Sequence, residues 1–173
     1  SPKMLIPIIQ LLKNKKFYFI REESVCPFLE FDTSFSAIEK KWKKGHKADL
    51  RRQLKRISLL GEIRLEIIND KKKIEELLPH FFQMHIEKWH SQKNPSEFRN
   101  KIVKEYYYNM VKYLYRKGLH FSVLWCDEKI ISIHFGFSYL KWLFWYKPAY
   151  NKNFENYSPG KIHLLLLIKH GIE

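Results

Sequence analysis

The chain has 173 residues, of which 45% are hydrophobic and 16% aromatic, enough to bury the core of about one domain. No stretch approaches the ~18 consecutive apolar residues of a membrane-spanning helix, and two cysteines, Cys26 and Cys126, are too few for a disulfide framework. Thirty-two Lys and Arg against eighteen Asp and Glu give a net charge of +14. This charge suits an anionic partner such as nucleic acid, an acidic membrane surface or a polyphosphorylated cofactor. The alternative is that it reflects only a lysine-rich composition.

The first 30 residues are predicted to form elements of their own. Apolar positions in residues 2–13 recur at helical intervals, and residues 17–20 are an aromatic and aliphatic run typical of a strand. We therefore expect residues 1–30 to contain helix and strand elements that end a preceding half-domain, and residues 31–173 to form the main domain.

Residues 35–60 are predicted to form two helices separated by Gly45, and the densest positive run of the chain, KKWKKGHKADLRRQLKR, lies across them. Asp49 is placed to cap the second helix, and the cations after it, Arg52 among them, would spread over its exposed faces. Two interpretations stay open: a clamp on an anionic ligand or RNA, and a solvated helix face.

The next two elements have clear periods. Residues 62–68 alternate charged and aliphatic side chains, which predicts a half-buried strand, and residues 74–90 repeat apolar side chains at helical spacing. On that helix His85 and Trp89 are four residues apart and should stack. A histidine on an apolar face is a candidate site residue, although such a residue is more often a hydrogen-bonded core residue. A further helix is predicted over residues 94–117.

The pattern then changes to a period of two. Residues 119–126, 130–139 and the aromatic run 142–147 predict three strands joined by tight turns, and Pro148 should end the third. The tripeptide Ser158-Pro159-Gly160 predicts the start of an apolar helix. The fold class that follows is α/β or α+β, with a mixed, mostly antiparallel central sheet flanked by helices.

The start of the last helix is a candidate phosphate site. A helix that begins Ser158-Pro159-Gly160 presents free backbone N–H groups and the positive end of its dipole, and Lys161 adds a cation. The motif lacks the earlier glycine and the following Ser or Thr of a P-loop, so it is weak by itself. The alternative is an ordinary helix cap.

Five short segments of the chain match a known family, and they occur in the same order as in that family. They are residues 26–29 (CPFL), 49–54 (DLRRQL), 84–89 (MHIEKW), 131–137 (ISIHFGF) and 150–160 (YNKNFENYSPG). Together they resemble the acyltransferases of the GNAT superfamily, in particular the CelD-like branch, which is related in fold to the FemABX peptidyltransferases.

The resemblance implies an acyl-CoA donor, either acetyl-CoA or another acyl-CoA, and no metal. The pantetheine arm of the donor would run along the aromatic strand at Trp145 and Tyr146 by backbone hydrogen bonds. Its pyrophosphate would meet the start of the last helix. The residues expected there are Ser158, Gly160, Lys161 and Ile162.

His134 is the candidate base or acceptor-orienting group. Strand alternation places it on one face with Ser132 and Gly136, where small residues leave a gap for substrate, and the alternative is a packed sheet histidine. Tyr150 matches the tyrosine of the family loop, so the resemblance implies that it is the candidate acid or orienting hydroxyl. Tyr157 is the second candidate. Either tyrosine could equally anchor the loop.

The family likeness also places His85 and Trp89 where the acceptor approaches, and it leaves a substrate-side role open for Arg52. Two positions depart from the family pattern, with Asn151 where relatives often have Asp and Ser132 in place of the usual Ala. Neither a carboxylate base at that position nor the length of the acyl chain is therefore implied. The family places one more strand after the last helix, and we expect that strand to be missing from this chain.

These features predict a cytoplasmic enzyme that transfers an acyl group from a thioester to an amine or hydroxyl of a sugar or cell-envelope precursor. One alternative is an aminoacyl-tRNA-dependent transferase whose tRNA binds the basic helix. The other alternative is a basic binding module that has the fold but no catalytic activity.

Overall fold

The computed structural model describes residues 27–30, 34–90 and 95–172. The chain divides into two compact units, residues 1–30 and 31–173. The helix and strand predicted within the first unit lie outside the described residues, so the prediction for that segment stays a prediction. All the helices and strands described below belong to the second unit.

The second unit combines helices with one sheet. In chain order its elements are α1 (Phe35–Lys40), α2 (Lys44–Ser58), β1 (Ile63–Ile67), α3 (Lys71–Lys88), a 3₁₀ helix (Glu97–Arg99), α4 (Lys101–Leu114), β2 (Leu119–Cys126), β3 (Lys129–Tyr139), β4 (Trp142–Tyr150), a second 3₁₀ helix (Lys152–Tyr157) and α5 (Pro159–Ile172). The strands form one antiparallel sheet in the order β1-β2-β3-β4. The predicted fold class is confirmed.

The sheet is covered by helices on both faces. Val123 and Leu124 are neighbours on β2 and point to opposite faces. Val123 packs in the cluster that contains Phe81 of α3, whereas Leu124 packs with Ile57 of α2 and Ile162 of α5. Burial of a side chain such as Phe81, which has no exposed surface, contributes roughly 1.5–3 kcal/mol. Among the described residues, no helix combines the length and apolar character that crossing a membrane requires.

The break between the first two helices is not at Gly45. Helix α1 ends at Lys40 and α2 begins at Lys44, so Gly45 is inside α2 and Asp49 lies in its interior rather than at its cap. A side chain at Gly45 would meet nothing within 4 Å. The surrounding structure therefore leaves room for the helix to continue through Gly45, and the lysines nearby are good helix formers.

The starts of α3 and α4 differ from the predicted ones because of capping side chains. Helix α3 begins before residue 74 because the Asp70 carboxylate accepts a hydrogen bond from the N–H of Lys73 at 2.7 Å. The segment predicted as one helix over residues 94–117 contains a 3₁₀ turn and then α4, whose start is capped by the Asn100 side chain. A capping side chain offers the backbone an alternative to continuing the preceding helix.

Strand β4 continues through Pro148, where the sequence predicted a break. The N–H of Asn151 donates to the C=O of Ile131 at 3.0 Å. In an antiparallel pair the backbone groups of successive residues point alternately towards and away from the partner strand. The N–H and C=O of Ala149 therefore also point to β3, and those of the residues on either side, including Pro148, point away from it. The missing N–H of proline therefore removes no hydrogen bond from the ladder, and the strand ends only at Tyr150.

Candidate active site

The outer edge of β4 is open. Strand β4 pairs with β3 on one side, and none of the described residues pairs with its other side. Because Ala149 faces β3, the backbone groups of Pro148 and Tyr150 point outward. The edge offers the N–H of Tyr150 and the C=O groups of both residues to an extended ligand.

A β-bulge interrupts the pairing of β3 with β4. The register shifts after Phe135, so that Trp145 and Tyr146 of β4 face the single residue Gly136 of β3. A bulge bends its strand and takes part of the backbone out of the ladder. Both aromatic residues that the sequence placed along the donor therefore lie in the bulge.

The turn before α5 leaves polar groups unpaired. Ser158 adopts a left-handed conformation with φ of 52°, and its C=O accepts hydrogen bonds from the N–H groups of Lys161 and Ile162 at 3.0 and 3.2 Å. In the part of the chain that the structure describes, no group accepts from the N–H of Gly160 or bonds the Ser158 hydroxyl. The first turn thus keeps a free N–H at Gly160, whereas those of the two following residues are engaged.

Two cations meet beside this turn. The Asp49 carboxylate accepts a hydrogen bond from Arg52 at 2.6 Å and lies 3.3 Å from the ammonium of Lys161. Hydrogen bonds from Arg52 and then Lys161 hold the pKa of Asp49 below its ordinary value. Both cationic side chains are more than half exposed. The tertiary structure therefore brings Arg52, expected on the substrate side, to the predicted phosphate side.

Tyr150 connects the end of β4 to the same turn. A Cβ at Gly160 would lie 3.9 Å from the Tyr150 ring. The Tyr150 hydroxyl donates to the Glu155 carboxylate at 3.2 Å. Burial, followed by the charge of Glu155, raises the pKa of Tyr150. The hydroxyl is therefore protonated at neutral pH and acts as a hydrogen-bond donor beside the helix start.

His85 and Trp89 lie close to the end of β4. Their rings stack with centroids 5.9 Å apart, as their spacing predicted. The His85 Nδ1 lies 2.8 Å from the hydroxyl of Ser96, and burial lowers the pKa of His85 to about 4, which keeps the ring neutral at physiological pH. Lys88 places its ammonium 4.9 Å from the ring centroid of Tyr150, so the end of α3 lies beside the end of β4.

His134 belongs to β3, the neighbour of β4, and its side chain does not lie at the open edge of β4. The side chain has no exposed surface, and its ring stacks on Trp145 with centroids 4.2 Å apart. The gap that the sequence predicted beside Gly136 is filled by the His134 ring itself, and the Ser132 hydroxyl bonds His163 and the C=O of Ala149. Direct contact between His134 and an acceptor is therefore not available in this structure. Its Nε2 instead accepts a hydrogen bond from the N–H of Tyr146 at 3.2 Å.

A buried polar network connects the sheet to α5. The two ring nitrogens of His163 lie 2.9 and 3.0 Å from the hydroxyls of Ser122 and Ser132, and Ser132 donates to the C=O of Ala149 at 2.9 Å. The Ser132 hydroxyl has one hydrogen, so it must accept from Nδ1–H of a neutral His163. Burial lowers the pKa of His163 to about 3.

Tyr157 packs in the loop before α5. The guanidinium of Arg56 lies 5.1 Å from its ring centroid and donates to the C=O of Asn156 at 3.2 Å. The ring packs against the apolar cluster that contains Ile57. This environment favours the loop-anchor interpretation of Tyr157.

Sequence reasoning missed several residues of this region. The ammonium of Lys88, the carboxylate of Glu155 and the imidazole of His163 each contact a predicted residue or its support. Only Lys88 had a signal, because it is three residues from His85 and charged. Within the described ranges, no group of three or more His, Cys, Asp or Glu side chains is arranged to hold a metal ion.

An open strand edge that ends beside a helix start has a geometry that suits an elongated, phosphate-bearing ligand. A family model described as an acetyltransferase (GNAT) domain matches residues 44–173. The match covers well over half of the chain, which therefore belongs to the GNAT acetyltransferase family, and its domain is an acyltransferase domain. No curated protein matches the chain significantly.

Proposed function

We propose that the domain transfers an acyl group from an acyl-CoA, either acetyl-CoA or another acyl-CoA, to an amine or hydroxyl of a sugar or cell-envelope precursor in the cytoplasm, as in the CelD-like branch. The observation that carries this proposal is the continuity between the open edge of β4 and the turn at Gly160. The edge suits the pantetheine arm, and the turn suits the diphosphate.

The length of β4 and the charges near Gly160 suit an acyl-CoA donor. Tyr146 and Tyr150 are four residue steps apart on the extended strand, about 13 Å, and Tyr150 lies beside Gly160. With the diphosphate at the free N–H of Gly160, the amides of the pantetheine arm would meet the outward backbone groups of β4, and the thioester would reach the bulge. Lys161 and Arg52 would then neutralise the phosphates.

This direction changes the expected roles of the tyrosines. Tyr150 lies at the diphosphate end of β4, so its hydroxyl would orient the diphosphate rather than protonate the leaving thiolate. The acceptor side would lie between the bulge and the end of α3. Support comes from Lys147, which is next to Tyr146 on β4 and whose charge helps to lower the pKa of His85. His85 and Trp89 would orient the acceptor there.

The reaction is acyl transfer from a thioester to the acceptor. The acceptor nitrogen or oxygen attacks the thioester carbonyl and loses a proton, the carbon–sulfur bond breaks, and the thiolate of CoA takes up a proton. The tetrahedral oxyanion needs hydrogen-bond donors fixed in advance. A bulge in an open strand is suited to holding backbone groups in such fixed positions.

The aminoacyl-tRNA alternative depends on free cations along α2. In the structure Arg51 pairs with Glu39 and Arg52 pairs with Asp49, and Arg56 lies over the ring of Tyr157. Because these ion pairs are exposed, a phosphate of either ligand can displace the carboxylates, so the pairs do not decide between the two donors. Binding of tRNA with an affinity that falls steeply with added salt would instead support the alternative.

Calorimetric titration with CoA, acetyl-CoA and longer acyl-CoAs tests the donor. We expect saturable binding that is lost in Gly160→Trp, whose side chain fills the turn, and weakened in Lys161→Glu. Gly160→Ala is the matched control, because a Cβ there makes only an ordinary contact with Tyr150. The absence of heat with every acyl-CoA would contradict the proposed donor.

Release of free thiol, followed with a panel of amine and sugar acceptors, then separates an enzyme from a binding module. An acyltransferase releases CoA faster with one class of acceptor than with buffer alone. A protein that binds acyl-CoA but never accelerates thiol release would be the non-catalytic module. Mass spectrometry of the natively purified protein would show whether a pantetheine-bearing ligand is retained.

A further inference from the structure

The imidazole of His134 contacts both residues of the bulge in β4. Its Nε2 accepts from the N–H of Tyr146 at 3.2 Å, and its ring stacks on Trp145 with the planes 18° apart. A bulge leaves backbone groups outside the ladder, and such groups need another partner when they are buried. The His134 side chain supplies that partner for the N–H of Tyr146.

Gly136 provides the space for this arrangement. A Cβ at Gly136 would overlap the His134 ring and the C=O of Phe144. The imidazole thus occupies the place that a side chain at position 136 would take opposite the bulge. The glycine, the histidine and the two bulge residues form one packing unit.

The surroundings of His134 keep its Nε2 lone pair available. His120 of β2 and His163 of α5 face the ring with centroids 5.8 and 6.2 Å away. Burial, together with these two neighbours, lowers the pKa of His134 to about 2, and the C=O of Phe144 opposes the shift only in part. The ring is therefore neutral, and because its Nε2 accepts from the N–H of Tyr146, the ring hydrogen is assigned to Nδ1.

The Nδ1 atom of His134 points to a role beyond packing. The atom is buried, and no described group bonds it. A buried polar atom without a partner reduces stability, and an apolar ring at this position would avoid that loss. Natural proteins accept such losses mainly at functional positions. What His134 adds over an apolar residue is the hydrogen bond to Tyr146.

We propose that His134 is a positioning residue of the transferase: its imidazole sets the backbone of Trp145 and Tyr146, and thereby the position of the thioester carbonyl relative to β4. This inference rests on the proposed function, because it takes the donor to lie along the β4 edge. His134 itself does not touch the donor. Its effect passes through the bulge.

The test compares two amides at position 134. The side-chain oxygen of Gln lies about as far along the side chain as Nε2, whereas that of Asn lies in the place of Nδ1. We expect His134→Asn to lower kcat for thiol release from acetyl-CoA by at least about tenfold, because small misplacements of reacting atoms are costly. His134→Gln should recover most of that loss. The dissociation constant for CoA should change less than twofold in both variants.

Cys126→Ala is the matched control, since it alters a buried residue at the other end of β2, opposite Lys129 and away from Gly136, and its kcat should match that of the wild type. Equal kcat in His134→Asn and the wild type would overturn the proposal. Equal losses in the Asn and Gln variants, in step with their melting temperatures, would overturn it as well, since a packing role alone gives that result.

A measurement without turnover separates this inference from the proposed function. The N–H of Tyr146 should exchange slowly with deuterium and show a coupling across its hydrogen bond to Nε2 by NMR, and both signs should vanish in His134→Asn. If no acyl-CoA is turned over, the proposed function fails while this assay still decides the bulge contact. Unchanged exchange of the Tyr146 amide in the Asn variant would refute the contact.

Discussion

The ammonium of Lys161, in the first turn of α5, lies 3.3 Å from the carboxylate of Asp49 on α2. The same carboxylate accepts a hydrogen bond from Arg52. In the free protein an acidic group therefore stands between two cations at the place proposed for a diphosphate. Exposed ion pairs of this kind contribute little to stability, so the carboxylate can be replaced there by a phosphate.

Removing the competing carboxylate should strengthen donor binding. Asp49→Asn frees Lys161 and Arg52 without adding a clash, and we expect the dissociation constant for CoA to fall by a factor of about 2–5, a change typical of exposed charge pairs. The gain should shrink at high salt, where exposed charges are screened. Glu39→Gln, which frees Arg51 farther along the same surface, is the control. Weaker CoA binding in Asp49→Asn would show that the carboxylate supports the site.

Replacement of Gly136 by alanine should be strongly destabilising. The added Cβ overlaps the buried His134 ring and the backbone C=O of Phe144, and neither can move freely. Overpacking of this kind costs about 1–3 kcal/mol, measurable by urea unfolding. Gly45→Ala, where nothing lies within 4 Å, should instead be neutral or stabilise α2 by up to about 1 kcal/mol. Equal stability of the two variants would mean that the bulge adapts.

The buried histidines should make the domain sensitive to acid. Their pKa values are lowered to about 4 for His120, about 2 for His134 and about 3 for His163, against about 6.5 in the unfolded chain. The unfolded chain therefore binds more protons below pH 6.5, and stability falls as the pH drops from 6.5 towards 4. Each histidine adds a slope of up to about 1.4 kcal/mol per pH unit.

Urea unfolding at several pH values between 4.5 and 8 measures this slope. Above pH 7 the histidine contribution should be constant. His120→Gln should give a shallower acid slope, because one group no longer differs between the folded and unfolded states. A free energy of unfolding that does not change from pH 7 to 4.5 would rule out neutral buried histidines as the cause.

The network around His163 should behave as a unit. His163→Leu leaves the Ser122 hydroxyl buried without its partner, which costs about 1–3 kcal/mol beyond the packing change. Adding Ser122→Ala to that variant should recover part of the loss, whereas Ser122→Ala alone should be destabilising. A double-mutant cycle measured by thermal or urea unfolding gives the coupling. Additive effects of the two changes would show that the hydrogen bond is not energetically significant.

Much of the fold could be predicted because its signals are local. Alternation predicted β1, β2 and β3, a helical period predicted α3, and Ser158-Pro159-Gly160 marked the start of the apolar last helix. The errors occurred where the signal was tertiary or came from a cap. Pro148 remains in β4 because its nitrogen faces the open edge, and Asn100 rather than the Pro95 region begins α4.

The sequence by itself determined the types of element, their order and the residues at the helix start, since these depend on contacts within a few residues. Only the tertiary structure decided that Asp49, which pairs with Arg52, also contacts Lys161, 112 positions away in the sequence. It also decided that His134 is buried behind β4. Strand register and helix docking join residues far apart in the chain, and no short-range periodicity records which side chains they bring together.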